Sequence, residues 1–156
     1  MTPAIKTAKK SKIAFTVHEY GHDPDADSYG LEAAEKLGIA PERVYKTLVV
    51  TDGGKDFFVG IVPVSTQLNL KSMAKAIGVK KVSMADAKKV ESTTGYVLGG
   101  VSPIGQKKRL KTVIDSSAQN FETINVSAGK RGLEIELSAS DLQQLTNAKF
   151  ADINSD

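Results

Sequence analysis

Two apolar runs, Val44 to Thr51 and Phe57 to Val62, are separated by little more than Asp52-Gly53-Gly54. Runs rich in Val, Ile and Phe favour extended backbone, and an Asp-Gly-Gly turn lets the chain fold straight back, so the segment predicts an antiparallel hairpin. Such a hairpin needs a core around it. A chain of 156 residues supplies one, since a domain of this size buries roughly two-thirds of its unfolded surface without metal or disulfide staples.

The remaining signals surround the hairpin with helices and further strands. Thr2-Pro3 reads as a cap and first position of a short basic helix carrying Lys6, Lys9, Lys10 and Lys12. Phe15 to Tyr20 alternates as a strand ended by Gly21 and Pro24, and an acidic stretch then leads into a helix from Leu31 to Leu37 stopped by Gly38. Asn69 caps a helix from Leu70 to Ile77, and Ser83-x-x-Asp86 resembles a capping box for a helix reaching Glu91. Strand signals return at Thr112–Ile114, Thr123–Ser127 and Leu133–Leu137, the last two joined by Gly129-Lys-Arg-Gly132, and Ser140-x-x-Gln143 opens a final helix. With no internal repeat or linker, residues 1–156 read as a single α/β domain of the α+β type with a mostly antiparallel or mixed sheet.

Composition narrows the chemistry. Zero Cys excludes disulfides, thiolate zinc sites, iron–sulfur clusters and a cysteine nucleophile. Lysines interrupt the N-terminus too often for a signal peptide, and no apolar run approaches a membrane span, which predicts a soluble cytoplasmic protein. The net charge of +3 is uneven: residues 1–120 carry 18 basic and 12 acidic groups, residues 121–156 carry 3 and 6.

His18-Glu19-Tyr20-Gly21-His22 matches the zinc-hydrolase pattern H-E-x-x-H, but that pattern needs a helix to bring the imidazoles together. On a strand, positions four apart lie ~13 Å from each other. A metal-dependent hydrolase built on His18 and His22 is therefore a remote reading. Asp23-x-Asp25-x-Asp27 begins like a calcium loop, yet Ser28 stands where Gly is wanted and Ala34 where a bidentate Glu is wanted.

Lys46 shares a strand face with Val44 and Leu48. It reads either as a lysine snorkelling from a sheet edge or as a cation lining a pocket. The Gly99-to-Gly105 loop contains three glycines and Pro103, and permits close backbone approach to a ligand. Lys107-Lys108-Arg109 follows at once and could grip a polyanion.

Tyr20 in its HEYGHDP context, Tyr45-Lys46-Thr47-Leu48, the long run from Thr94 to Arg109, and Val126 to Leu133 together resemble the YbaK family of aminoacyl-tRNA deacylases. That family is related to the editing domain inserted in bacterial prolyl-tRNA synthetases, and the likeness runs over nearly the whole chain. The resemblance implies a mostly antiparallel sheet of six or seven strands curved into a partial barrel with flanking helices. It implies removal of cysteine from mischarged Cys-tRNA(Pro), with Cys-tRNA(Cys) as a second candidate substrate, and no metal or cofactor. tRNA is the implied partner, with prolyl-tRNA synthetase as a companion in a transient complex. By position, Lys46 and Tyr20 take catalytic roles; Thr47, Gly99, Gly100, Pro103, Ser127 and Glu134 bind substrate; Lys107, Lys108 and Arg109 attract the tRNA backbone. Glu134 stands where the family has Asp. A non-catalytic module that binds an aminoacyl or nucleotide ligand, or docks on a synthetase, is the alternative from a different class.

Overall fold

The computed structural model describes residues 1–26 and 28–155. The chain runs through α1 (Pro3–Lys10), β1 (Phe15–Glu19), α2 (Tyr29–Leu37), β2 (Tyr45–Thr51), β3 (Phe57–Pro63), β4 (Gln67–Leu68), α3 (Leu70–Ile77), β5 (Ser83–Met84), α4 (Ala87–Thr94), β6 (Lys111–Asp115), β7 (Ile124–Lys130), β8 (Leu133–Leu137), α5 (Ala139–Thr146), β9 (Lys149–Ala151) and β10 (Asn154–Ser155). No helix among the described residues is long and apolar enough to cross a membrane.

The hairpin is present as expected. β2 and β3 pair antiparallel from Tyr45↔Pro63 to Thr51↔Phe57 and form the middle of a five-stranded sheet ordered β5-β2-β3-β6-β9. The β3–β6 and β6–β9 ladders are parallel, so this sheet is mixed. A second, antiparallel sheet has the order β1-β8-β7. Among the described residues, backbone pairing between the two sheets is limited to one parallel bridge, Val44↔Asn125. Beyond that bridge β2 continues through Lys46 and β7 through Ser127 with no further ladder between them, so the sheets stay open instead of closing into a barrel.

Alternation sorts the side chains of the large sheet. Tyr45, Val49 and Ile61 face a core shared with Ile124, Val126, Ile135 and Leu137 of the second sheet. Leu48, Val50 and Val62 face the other way, onto Met73, Ala74 and Ile77 of α3.

Helix ends follow local chemistry, and two caps differ from the expected ones. Thr2, Ser28 and Asn69 cap α1, α2 and α3, while Gly38 and Gly78 close α2 and α3 in the left-handed conformation. Ser83 is drawn into β5 by pairing with Thr51, so Asp86 takes the cap of α4, accepting from the Lys89 N–H at 2.9 Å, and the helix extends to Thr94 instead of ending at Glu91. Ser138, immediately after β8, caps α5 by accepting from the Asp141 N–H at 3.1 Å; Ser140 lies inside that helix.

Candidate active site

The gap where β2 and β7 part company is a pocket of about 380 Å³. Tyr20, Lys46, Thr47, Gly99, Ser127 and Glu134 all line it, so segments far apart in sequence converge there. Ser127 and Glu134 are direct cross-strand partners, and His18 stands on the far side of Glu134 in the same row.

Two groups in the wall are uncommitted. Lys46 is half-buried, forms no salt bridge among the described residues, and burial pulls its ammonium below the usual lysine value. The Thr47 hydroxyl is buried without a hydrogen-bond partner among the described residues. Buried polar atoms are normally paired, so both groups are free to meet a polar ligand.

Glu134 is only 7% exposed and forms no salt bridge among the described residues; burial pushes its carboxyl up to about 8. A carboxyl in that condition carries a proton at neutral pH and can donate a hydrogen bond. Burial also raises the Tyr20 phenol, and the proximity of Glu134 adds to the effect.

The glycine loop divides. Gly99 reaches the pocket with φ of +92°, and a Cβ there would lie 3.0 Å from the Tyr29 ring. Gly100 does not line the pocket: its N–H donates to Val97 O at 3.0 Å, and a Cβ would stand 2.7 Å from Lys130 Cα. Its N–H is therefore engaged within a turn, and its missing side chain serves close packing. Pro103 is buried and lines a separate depression with Thr7, Lys107, Lys108 and Arg109. The basic cluster does lie beside the loop, against its Pro103–Gly105 end, but it does not line the pocket that Gly99 reaches.

Tyr29 is a pocket residue that the sequence did not reveal. Its ring lies 4.1 Å under the Arg131 guanidinium, and Arg131 in turn stands 3.6 Å from the buried Glu32 carboxylate. The β7–β8 turn thus braces the first turn of α2, a long-range contact with no local signature.

The zinc-like motif does not assemble. His18 lies on β1 and its Nε2 meets Glu136 Oε1 at 2.8 Å, while His22 follows the end of the strand, so the one-turn helical spacing is absent. Asp27 of the acidic stretch lies outside the described residues.

Residues 23–145 match the aminoacyl-tRNA editing domain family, and the chain belongs to that family. Among its relatives is the Enterococcus faecalis protein named "Putative Cys-tRNA(Pro)/Cys-tRNA(Cys) deacylase EbsC", 41% identical over 152 residues that span 97% of this chain and 92% of that protein. The proline–tRNA ligase of Trichlorobacter lovleyi is 27% identical over 109 residues, covering 70% of this chain and 19% of the ligase. The same fold occurs in a solved structure described as "a putative trans-editing enzyme for prolyl tRNA synthetase", with a TM-score of 0.84, 21% identity, and coverage of 100% of this chain and 99% of that one.

Proposed function

We propose that this chain is a free-standing, cytoplasmic aminoacyl-tRNA deacylase that removes cysteine from mischarged Cys-tRNA(Pro), with Cys-tRNA(Cys) as a second substrate. The observation that carries this reading is the convergence of Tyr20, Lys46, Thr47, Ser127 and Glu134 on one pocket in which, among the described residues, Lys46 forms no salt bridge and the Thr47 hydroxyl has no hydrogen-bond partner.

An aminoacyl ester is already activated, so positioning and electrostatics can supply much of the acceleration. In this reading the substrate brings its own nucleophile. The cysteine sulfur attacks the carbonyl carbon of its ester, the S–C bond forms, the bond to the ribose oxygen breaks, and the thiol proton passes to that departing oxygen. The products are a cyclic thiolactone and free tRNA. Lys46 holds the terminal adenosine and ester oxygen beside the Gly99 backbone, Thr47 adds a hydrogen bond, and Tyr20, Ser127 and Glu134 shape the aminoacyl cavity. No cofactor takes part. Lys107, Lys108 and Arg109 contribute long-range attraction for the polyanion, and a prolyl-tRNA synthetase partner supplies tRNA selection.

Deacylation of preformed Cys-tRNA(Pro) by Lys46→Ala tests the proposal. Loss of a positioned cation in such a site costs about 10²-fold or more in rate. A wild-type rate in the variant overturns it.

A further inference from the structure

Four lysines surround a second concavity of about 350 Å³. Lys71 and Lys75 reach it from α3, Lys80 and Lys81 from the following segment, and Ala74 and Val82 contribute to its apolar lining. All four lysines are exposed, and none has a carboxylate within salt-bridge distance among the described residues. Like charges around one hollow repel each other, and an apolar, low-dielectric wall focuses their field into it. The arrangement is complementary to a polyanion.

Its place in the fold narrows the occupant. Leu48 lines the active-site pocket and also packs in the α3-side cluster that contains Ala74 and Val82. Lys46, two residues back on the same strand, shares that sheet face. The Lys107–Arg109 cluster is on the other side: it lines a depression with Thr112, whereas the next residue of β6, Val113, faces the α3 cluster. A rigid nucleic-acid helix cannot rest on both faces of one sheet.

We infer that the groove between α3 and Val79–Val82 seats the phosphodiester backbone of the tRNA acceptor arm while the 3′ end enters the pocket beside Lys46. This rests on the deacylase reading. The groove supplies docking, and the Lys107–Arg109 face supplies only attraction at a distance.

The test compares the full-length wild type with two variants, Lys71→Ala/Lys75→Ala/Lys80→Ala/Lys81→Ala and Lys107→Ala/Lys108→Ala/Arg109→Ala. Each is assayed on Cys-tRNA(Pro), on 3′-cysteinyl-adenosine, which has no phosphate backbone, and for binding of uncharged tRNA across a salt titration. The groove variant is expected to lose tenfold or more in tRNA affinity and in kcat/KM on Cys-tRNA. Its log-affinity against log-salt slope should be shallower by roughly 2–4, and its rate on the small ester unchanged. The Lys107–Arg109 variant should change tRNA affinity less than threefold. Wild-type affinity and salt slope in the groove variant, equal losses on both esters, or the reverse ranking of the two variants each overturn the inference. If wild-type protein binds tRNA through the groove but cleaves neither ester, the deacylase reading falls while the docking surface stands.

Discussion

Glu134 and Lys46 show how one cavity perturbs opposite charges by the same means. Burial disfavours the ionised form of each, raising the carboxyl to about 8 and lowering the ammonium. For Glu134 the consequence for stability has a definite sign. Its folded-state value lies above the unfolded value of 4.5, so the stability it contributes is complete below about pH 4.5. That contribution declines as pH rises towards 8 and is gone above it, a swing on the order of a few kcal/mol. Glu134→Gln, which mimics the protonated acid in shape, should flatten the decline in urea-unfolding free energy measured between pH 5 and 9. Deacylation at pH 6.5 should stay within about threefold of wild type, because the neutral amide can still donate a hydrogen bond. An undiminished pH dependence of stability in the variant would place the titrating group elsewhere.

At the scale of elements, local grammar was readable where the signal and the structure were both local. The Asp52-Gly53-Gly54 hairpin and the helix from Leu70 to Ile77, with its Asn69 cap, followed from neighbouring residues. The caps of α4 and α5 did not, because Ser83 had two possible partners and strand pairing with Thr51 prevailed, while Ser138 lay nearer than Ser140 to the end of β8. Two-residue strands such as β4 and β10 are too short to alternate, and they exist because they pair with each other. Arg131 shows the same limit within the site. It ties the β7–β8 turn to α2 by stacking on Tyr29 and facing Glu32, and it donates to Asp23 O at 2.5 Å. Arg131→Met keeps much of the side-chain volume but leaves the Glu32 carboxylate, only 6% exposed, with Lys36 as its remaining cation beside the Asp23 N–H that donates to it at 2.6 Å. The loss should be about 2 kcal/mol, below the 3–5 typical of fully buried pairs because Arg131 retains some solvent contact. Released from its stacking partner, Tyr29 should also raise KM for Cys-tRNA several-fold with little change in kcat. A variant that loses stability without any KM change would confine Arg131 to a structural role.

Across the whole molecule, residue patterning pointed to the fold class and the family resemblance named six of the residues that line the pocket, but neither could place the two basic surfaces relative to it. Lys46, Tyr20, Ser127 and Glu134 come together in one pocket because the Val44↔Asn125 bridge brings two sheets together and then lets them diverge. The parallel β3–β6 and β6–β9 ladders carry the chain between faces of the sheet, and no short-range rule predicts them. That topology also couples the halves. Tyr45, Val49 and Ile61 of the larger sheet share one cluster with Ile124, Val126 and Ile135 of the smaller, so neither sheet can open without exposing the other's apolar face. Asp115 fastens the end of the chain to the same unit, its fully buried carboxylate accepting from Ile153 N–H at 2.9 Å, Asn154 N–H at 3.2 Å and Asn154 Nδ2 at 2.9 Å. Residues 1–156 should therefore unfold as one domain. Far-UV circular dichroism, which reports both sheets, and tyrosine fluorescence, to which the buried Tyr45 and Tyr96 contribute, should give a single coincident urea midpoint. Two separated midpoints would mean that the shared cluster does not hold the sheets together, and that the pocket between them forms at an interface able to open on its own.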